Sequence, residues 1–235
     1  MINISRKMDI VFCIDGTASM YSCIDNIRKH AKSFYQEVDY IFTENGDTLD
    51  CLNVKVITFR DYKKDGSNAM IESEWYDLTA GEEDDFEKYL SGIIADGGGD
   101  EPENGLEALF QTMCVKWNAM GDRDIQAIVL FTDADAHPLK DREGIDGYPA
   151  NMVDEEGFIK AWYCVRPGFL SQEEFSLRER CKRLVIFAPV GTIYERLSTI
   201  LNRSVYKPVG KNLGLSDIGI KELFKLLKKS PSAIS

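Results

Sequence analysis

Four short stretches of this 235-residue chain gather oxygen donors where chemistry could be done. They are Asp15-Gly16-Thr17-Ala18-Ser19, Arg60-Asp61-Tyr62, the run 97–105 (GGGDEPENG) and Asp133-Ala134-Asp135-Ala136-His137. Carboxylates and hydroxyls brought together from separate loops, without thiols or clustered imidazoles, make a donor set for a hard divalent cation. With two or three carboxylates and neutral hydroxyls, the expected ion is octahedral magnesium that keeps some water, with manganese or calcium as alternatives. One coordination position is then left for something outside the protein. Each residue also has a plainer use: Thr17, Ser19 or Asp100 could cap a helix, and Asp133 could stabilise a turn. Asp15, directly at the end of an apolar run, has nothing local to cap. It is expected at a solvent-facing strand end.

The elements that must position these residues follow from two periods. Residues 9–14 form a short apolar run, 52–59 alternate and are β-branched, and 125–132 and 183–190 are apolar almost throughout. All four read as strands, with weaker ones at 69–78 and 205–209. Ile24, Ile27, Ala31, Phe34 and Val38 recur at helical spacing, as do Leu106, Leu109, Phe110, Met113 and Trp117. Further helices are expected over 82–94, 171–183 and 216–229. Apolar strands interleaved with helices predict an α/β fold: a doubly wound, mostly parallel, Rossmann-like sheet covered on both faces. In such sheets ligands bind beyond the carboxyl ends of the strands, which is where the oxygen-rich stretches fall. The chain reads as one domain, 1–235, with an aperiodic insertion at 137–170 rich in Gly, Asp and Pro.

Composition narrows the partners. The net charge of −11 divides into −19 over residues 1–175 and +8 over 176–235. An acidic body would repel a phosphate backbone, so no nucleic-acid partner is expected. No apolar run reaches the ~20 residues of a membrane span, and residues 1–7 show no secretory signal, so no membrane partner is expected either. The six cysteines include no CxxC pair and read as reduced thiols of a cytoplasmic protein. Lys221, Lys225, Lys228 and Lys229 alternate with Leu223, Phe224, Leu226 and Leu227, as in an amphipathic helix that packs on the domain.

Three of these stretches, in this order, resemble a known family. Asp15-Gly-Thr17-Ala-Ser19 after an apolar strand is similar to the Asp-x-Ser/Thr-x-Ser signature of the von Willebrand factor type A domain. Asp100-Glu-Pro102-Glu103 resembles the Asp-x-Pro-Glu loop of integrin beta I-like domains and of intracellular type A domains attached to alpha-kinases. Phe131-Thr132-Asp133 resembles the turn that supplies the last ligand there. The resemblance covers residues 9–137. It implies a metal-ion-dependent adhesion site (MIDAS) with Asp15, Thr17, Ser19 and Glu103 as ligands and Asp133 acting through water. It also implies a partner protein whose acidic side chain completes the coordination. Ser22 and Cys23 stand where integrins have paired aspartates, which removes one auxiliary site. Asp61 and Asp100 match positions that feed another auxiliary ion, although Gly98 replaces an asparagine there. Arg60, Tyr62 and His137 are the expected partner contacts around the ion.

Two enzymatic readings compete. Haloacid dehalogenases need Asp-x-Asp-Gly-Thr, but this chain has Cys13-Ile14-Asp15-Gly16-Thr17, and a thiol cannot form the acyl phosphate of that chemistry. A metal-dependent phosphatase or hydrolase using Asp133, Asp135 and His137 is the alternative, although no second positioned base is evident. The expectation is therefore a magnesium-dependent protein-binding adaptor and not an enzyme.

Overall fold

The computed structural model describes residues 4–44, 46–97, 102–210 and 220–229. Among the described residues, seven strands form one sheet: β1 (Ile4–Asp15), β2 (Asp47–Phe59), β3 (Met70–Glu72), β4 (Tyr76–Asp77), β5 (Ile125–Phe131), β6 (Lys182–Ala188) and β7 (Ser204–Pro208). The order is β3-β2-β1-β5-β6-β7, with β4 also paired to β2. Strands β2, β1, β5, β6 and β7 run parallel, while β3 and β4 pair antiparallel with β2. The expected α/β, mostly parallel, Rossmann-like architecture is what the chain adopts.

Helices cover both faces because the strands are apolar on both. On β1, Met8, Ile10, Phe12 and Ile14 enter one core with α1 (Tyr21–Glu44), α3 (Glu83–Gly92) and α7 (Ile220–Lys229). Val11 and Cys13 enter the other with α4 (Gly105–Cys114), α5 (Glu155–Trp162) and α6 (Ile193–Ile200). The period of two along a strand thus divides one run between two cores. A one-turn helix α2 (Tyr62–Asp65) follows β2. The chain turns from β1 outward to β2 on one side and later lays β5 on the other. The switch point therefore lies between β1 and β5, and their carboxyl ends carry Asp15 and Asp133.

Two expectations are corrected. Residues 171–183 are not a helix: only turns occur before β6 begins at Lys182. The backbone there is taken by the core. The Ser176 carbonyl accepts from the Gln126 side chain, the Arg178 amide donates to Gln126 Oε1, and Ser176 Oγ accepts from the Trp117 amide. Phe175 and Leu177 are buried, and these contacts override the local helical preference. Residues 137–170 are also not merely aperiodic, because they contain α5. Asp154 caps it by accepting from the Gly157 amide, and Phe158, Ala161 and Trp162 are buried. The Trp162 indole donates to Asn202, and Lys182, itself wholly buried, places its ammonium 4.6 Å from the Trp162 ring centroid. Helix α6 has only two turns and gives too short a pattern to stand out in the sequence. The expected 216–229 helix is described from Ile220, and residues 216–219 lie outside the described residues. Among the described residues, no helix is long and apolar enough to cross a membrane.

The packing of α5 makes a checkable statement about the 137–170 segment. Trp162→Ala should lower unfolding stability by about 3–5 kcal/mol, the range for emptying a large aromatic site. Denaturant titration measures it; a loss of a few tenths would mean that the segment is only appended to the fold.

Candidate metal centre

The site is built on a carboxylate in an unfavourable place. Asp15 ends β1 and is 0% exposed, so the expectation of a solvent-facing position is corrected. Its neighbours supply donors in place of water. Oδ1 accepts from the Thr17 amide at 3.0 Å and the Thr17 hydroxyl at 2.6 Å, and Oδ2 accepts from the Thr132 hydroxyl at 2.8 Å. Burial nevertheless dominates and pushes the Asp15 carboxyl up to about 6, and nearby Asp133 adds to the rise. The hydroxyl bonds pull the other way and lose.

From Thr17 a chain of hydroxyls leads to the second carboxylate. Thr17 Oγ1 lies 3.1 Å from Ser19 Oγ, and the Ser19 hydroxyl donates to Asp133 Oδ1 at 3.1 Å. Thr17 makes no side-chain cap to the short helical turn that follows, so the capping alternative does not hold for it. The loop itself is clamped. Gly16 donates to the Phe59 carbonyl, and its own carbonyl accepts from Arg60 Nε at 3.0 Å and from the Asp96 amide at 3.1 Å. A Cβ on Gly16 would meet Arg60 Nε at 3.1 Å, so the guanidinium packs directly on the turn.

Glu103 reaches this end of the sheet through its backbone. Its amide donates to the Asp135 carbonyl and its carbonyl accepts from the His137 amide, an isolated parallel bridge that lays 103 beside 136. The Glu103 side chain is buried. Helix α4 is preceded by Asn104 in the capping position, so Asp100 is not its N-cap. Asp100 itself, expected at the auxiliary ion, lies outside the described residues. Among the described residues, no three acidic, histidine or cysteine side chains are grouped as an ion would need. What is brought together is two carboxylates, Asp15 and Asp133, with the hydroxyls of Thr17, Ser19 and Thr132. That donor set suits a hard cation, which would relieve the like-charge contact between the two carboxylates.

The remaining expected residues serve other partners. Asp61 Oδ1 accepts from the Lys63 amide and from Arg142 Nε, both at 3.0 Å. A tethered guanidinium thus stands against the carboxylate that the resemblance assigns to a second ion. Arg142 also lies 2.6 Å from His137 Nε2, and His137 is buried. Tyr62 is buried too, its ring edge-on to Tyr148 at 5.1 Å and its amide donating to Asn104 Oδ1. Tyr62 and His137 therefore brace the loops from inside. Arg60 holds Gly16 and donates to the Ile94 carbonyl at 2.7 Å. Asp135 accepts from the amides of Ile193 and Ala136, which ties β5 to α6. Sequence reasoning missed Thr132 and Arg142. The first lies beside Asp133 in the motif and could have been found there; the second carries no local signal.

No protein-family model and no curated relative matches the chain. Solved structures do. The pilus adhesin SpaC of Lactobacillus rhamnosus GG aligns over 97% of this chain with a TM-score of 0.57 and 14% identity. Its open conformation aligns with a TM-score of 0.56, also at 14% identity. This chain spans about a third of that adhesin, 32% and 31% in the two structures. At this identity the likeness establishes the fold alone.

The raised carboxyl of Asp15 fixes the sign of a pH effect. A folded value of about 6 against an ordinary 3.8 means that the folded chain holds the proton more tightly. This stabilising contribution is complete below 3.8 and is lost as pH rises through 6. In chelator near neutral pH, Asp15→Asn should therefore stabilise the protein by about 1–3 kcal/mol, with the gain vanishing toward pH 4. Urea midpoints of both proteins across that range measure it. A variant less stable than wild type at neutral pH would refute the account.

Proposed function

We propose that the chain is a divalent-metal-dependent protein-binding domain of the von Willebrand factor type A kind, an adaptor with a MIDAS and no catalytic activity. The observation that carries this reading is the hydroxyl-linked pair of carboxylates, Asp15 and Asp133, at the switch point of a doubly wound sheet. Asp15, Thr17, Ser19, Glu103 and Asp133 would hold magnesium, or manganese or calcium. When bound, the ion supplies a local positive charge with a coordination position for an acidic side chain of the partner protein. The residues of the chain do the rest. Thr17 and Thr132 orient the Asp15 oxygens, Ser19 spaces Asp133 from them, and Arg60 holds the Gly16 turn that carries the motif. The six cysteines are unjoined, which supports a reducing, cytoplasmic setting.

The residues of the hydrolase alternative are used otherwise. Asp135 is taken by backbone amides and His137 by Arg142. Cys13, at the nucleophile position of the dehalogenase pattern, is buried 2.9 Å from Thr112 Oγ1, and burial pushes its thiol up to about 12. These engagements support the binding reading over either enzymatic one.

Millimolar magnesium should raise the melting temperature of chelator-treated protein, since an ion that binds only the folded state stabilises it. No shift with magnesium, manganese or calcium overturns the site. By calorimetric titration, Glu103→Ala should weaken metal affinity about tenfold or more, whereas Glu101→Ala should leave it unchanged. Equal affinities would remove Glu103 from the ligand set. A generic phosphatase substrate with magnesium should show no turnover above buffer; turnover that Asp15→Asn abolishes would instead favour the hydrolase.

A further inference from the structure

A groove of about 860 Å3 runs between the edge strands β3 and β4 and helix α3. Trp75, Tyr76 and Tyr89 line it, with the Tyr76 and Tyr89 ring centroids 6.1 Å apart. Two large aliphatic side chains on its wall are turned toward solvent, Ile71 at 44% and Ile94 at 69% exposed. Apolar surface left open in this way marks a place where another chain can bury it.

The charge of the groove is one-sided. Asp65, Glu82, Asp85 and Asp96 line it, against Arg60 and Lys88. Of the two cations, Arg60 is already engaged by the Gly16 and Ile94 carbonyls. Asp65 Oδ2 is buried without a hydrogen-bond donor among the described residues. Carboxylates beside aromatic faces suit lysine or arginine, whose charged heads pair with the acids while their stems and cations lie on the rings. A second copy of this chain, at a net charge of −11, fits such a groove poorly.

Two residues of the groove also bond the turn that carries the candidate metal centre. Arg60 and the Asp96 amide, both of residues that line it, bond the carbonyl of Gly16, the residue after Asp15. A segment lying in the groove would therefore pass beside that turn.

We propose that this groove seats an extended segment of the partner protein, rich in lysine or arginine and in bulky apolar side chains, next to the acidic residue that reaches the metal. The proposal deepens the metal-dependent reading and rests on it for the identity of the neighbouring acid. The groove itself needs no ion, so the two can fail separately.

The test uses fluorescence anisotropy with a labelled peptide of alternating lysine and leucine, and the same peptide with glutamate in place of lysine. Each is titrated against the full chain with magnesium and again in chelator. The lysine peptide should bind about tenfold or more tightly than the glutamate peptide in both conditions, as complementary charge requires. Asp85→Lys should weaken it about tenfold, and Ile94→Ser, at an exposed position that the fold tolerates, severalfold. Glu156→Lys makes the same charge change on α5, across the sheet, and should alter the affinity less than about twofold. Equal binding of the two peptides, equal loss in Asp85→Lys and Glu156→Lys, no loss in Ile94→Ser, or lysine-peptide binding that disappears in chelator each overturns the groove. Binding that survives chelator and responds to Asp85→Lys and Ile94→Ser supports it, even if magnesium titrations are flat and the metal reading falls.

Discussion

A carboxylate buried at the end of the sheet's central strand is the constraint to which most of the surrounding loops respond. Asp15 cannot reach water, so the chain brings it an amide and two hydroxyls from two different loops. This fixes the turn after β1 and the turn after β5 relative to each other. A position midway along β1 offers a useful contrast. Asp9 is also buried, and burial raises its carboxyl as well, but both of its oxygens are met by amides of Asn53, Asn118 and Ala119. Those donors pin a loop and ask for nothing more. At Asp15 the donors are largely hydroxyls, and the chain of hydroxyls ends on another carboxylate. One buried acid closes a structure; the other leaves a charge that a cation would balance.

The same comparison explains what the sequence made legible. The strands and the long helix α1 were readable because apolar residues at period two or 3.6 persist through many residues. The three oxygen-rich turns were readable because each sits where such a run stops. Residues 171–183 misled because Ser171, Glu173 and Glu174 imitate a helix start, while the deciding contacts come from Trp117 and Gln126, more than fifty positions away. Helix α5 was hidden for the opposite reason. Its buried residues, Phe158, Ala161 and Trp162, make a pattern too brief to rise above the glycines and aspartates before it. Arg142 is the hardest case: nothing near it in the chain indicates that it will meet Asp61, 81 residues earlier.

That ion pair bears on how many cations this end of the sheet needs. Asp61 caps α2 and is almost wholly inaccessible, so an unpaired charge there would be expensive. The guanidinium of Arg142, anchored in the 137–170 segment, answers it through a charge-assisted bond. Where the resemblance supplies a second ion, the chain has a cation of its own. The insertion thereby becomes part of the site's support, since it carries both that guanidinium and the Tyr148 ring packed on Tyr62.

Charge over the whole molecule then shapes what a partner can be. A body of net −19 over residues 1–175 repels the kind of acidic ligand that the metal reading calls for. A bound ion reverses the sign only locally, because at physiological salt its field fades within about 8 Å. A partner that carried acid alone would meet the repulsion of the body along with the attraction of the ion. One that places basic residues beside the acid would be drawn in by the groove and would present its carboxylate to the ion only at contact. If both proposals hold, the groove and the metal centre would act in one mode of recognition, the first pairing with the partner's basic residues and the second selecting its acid. The bond of Arg60 to the Gly16 carbonyl is the physical link between the two.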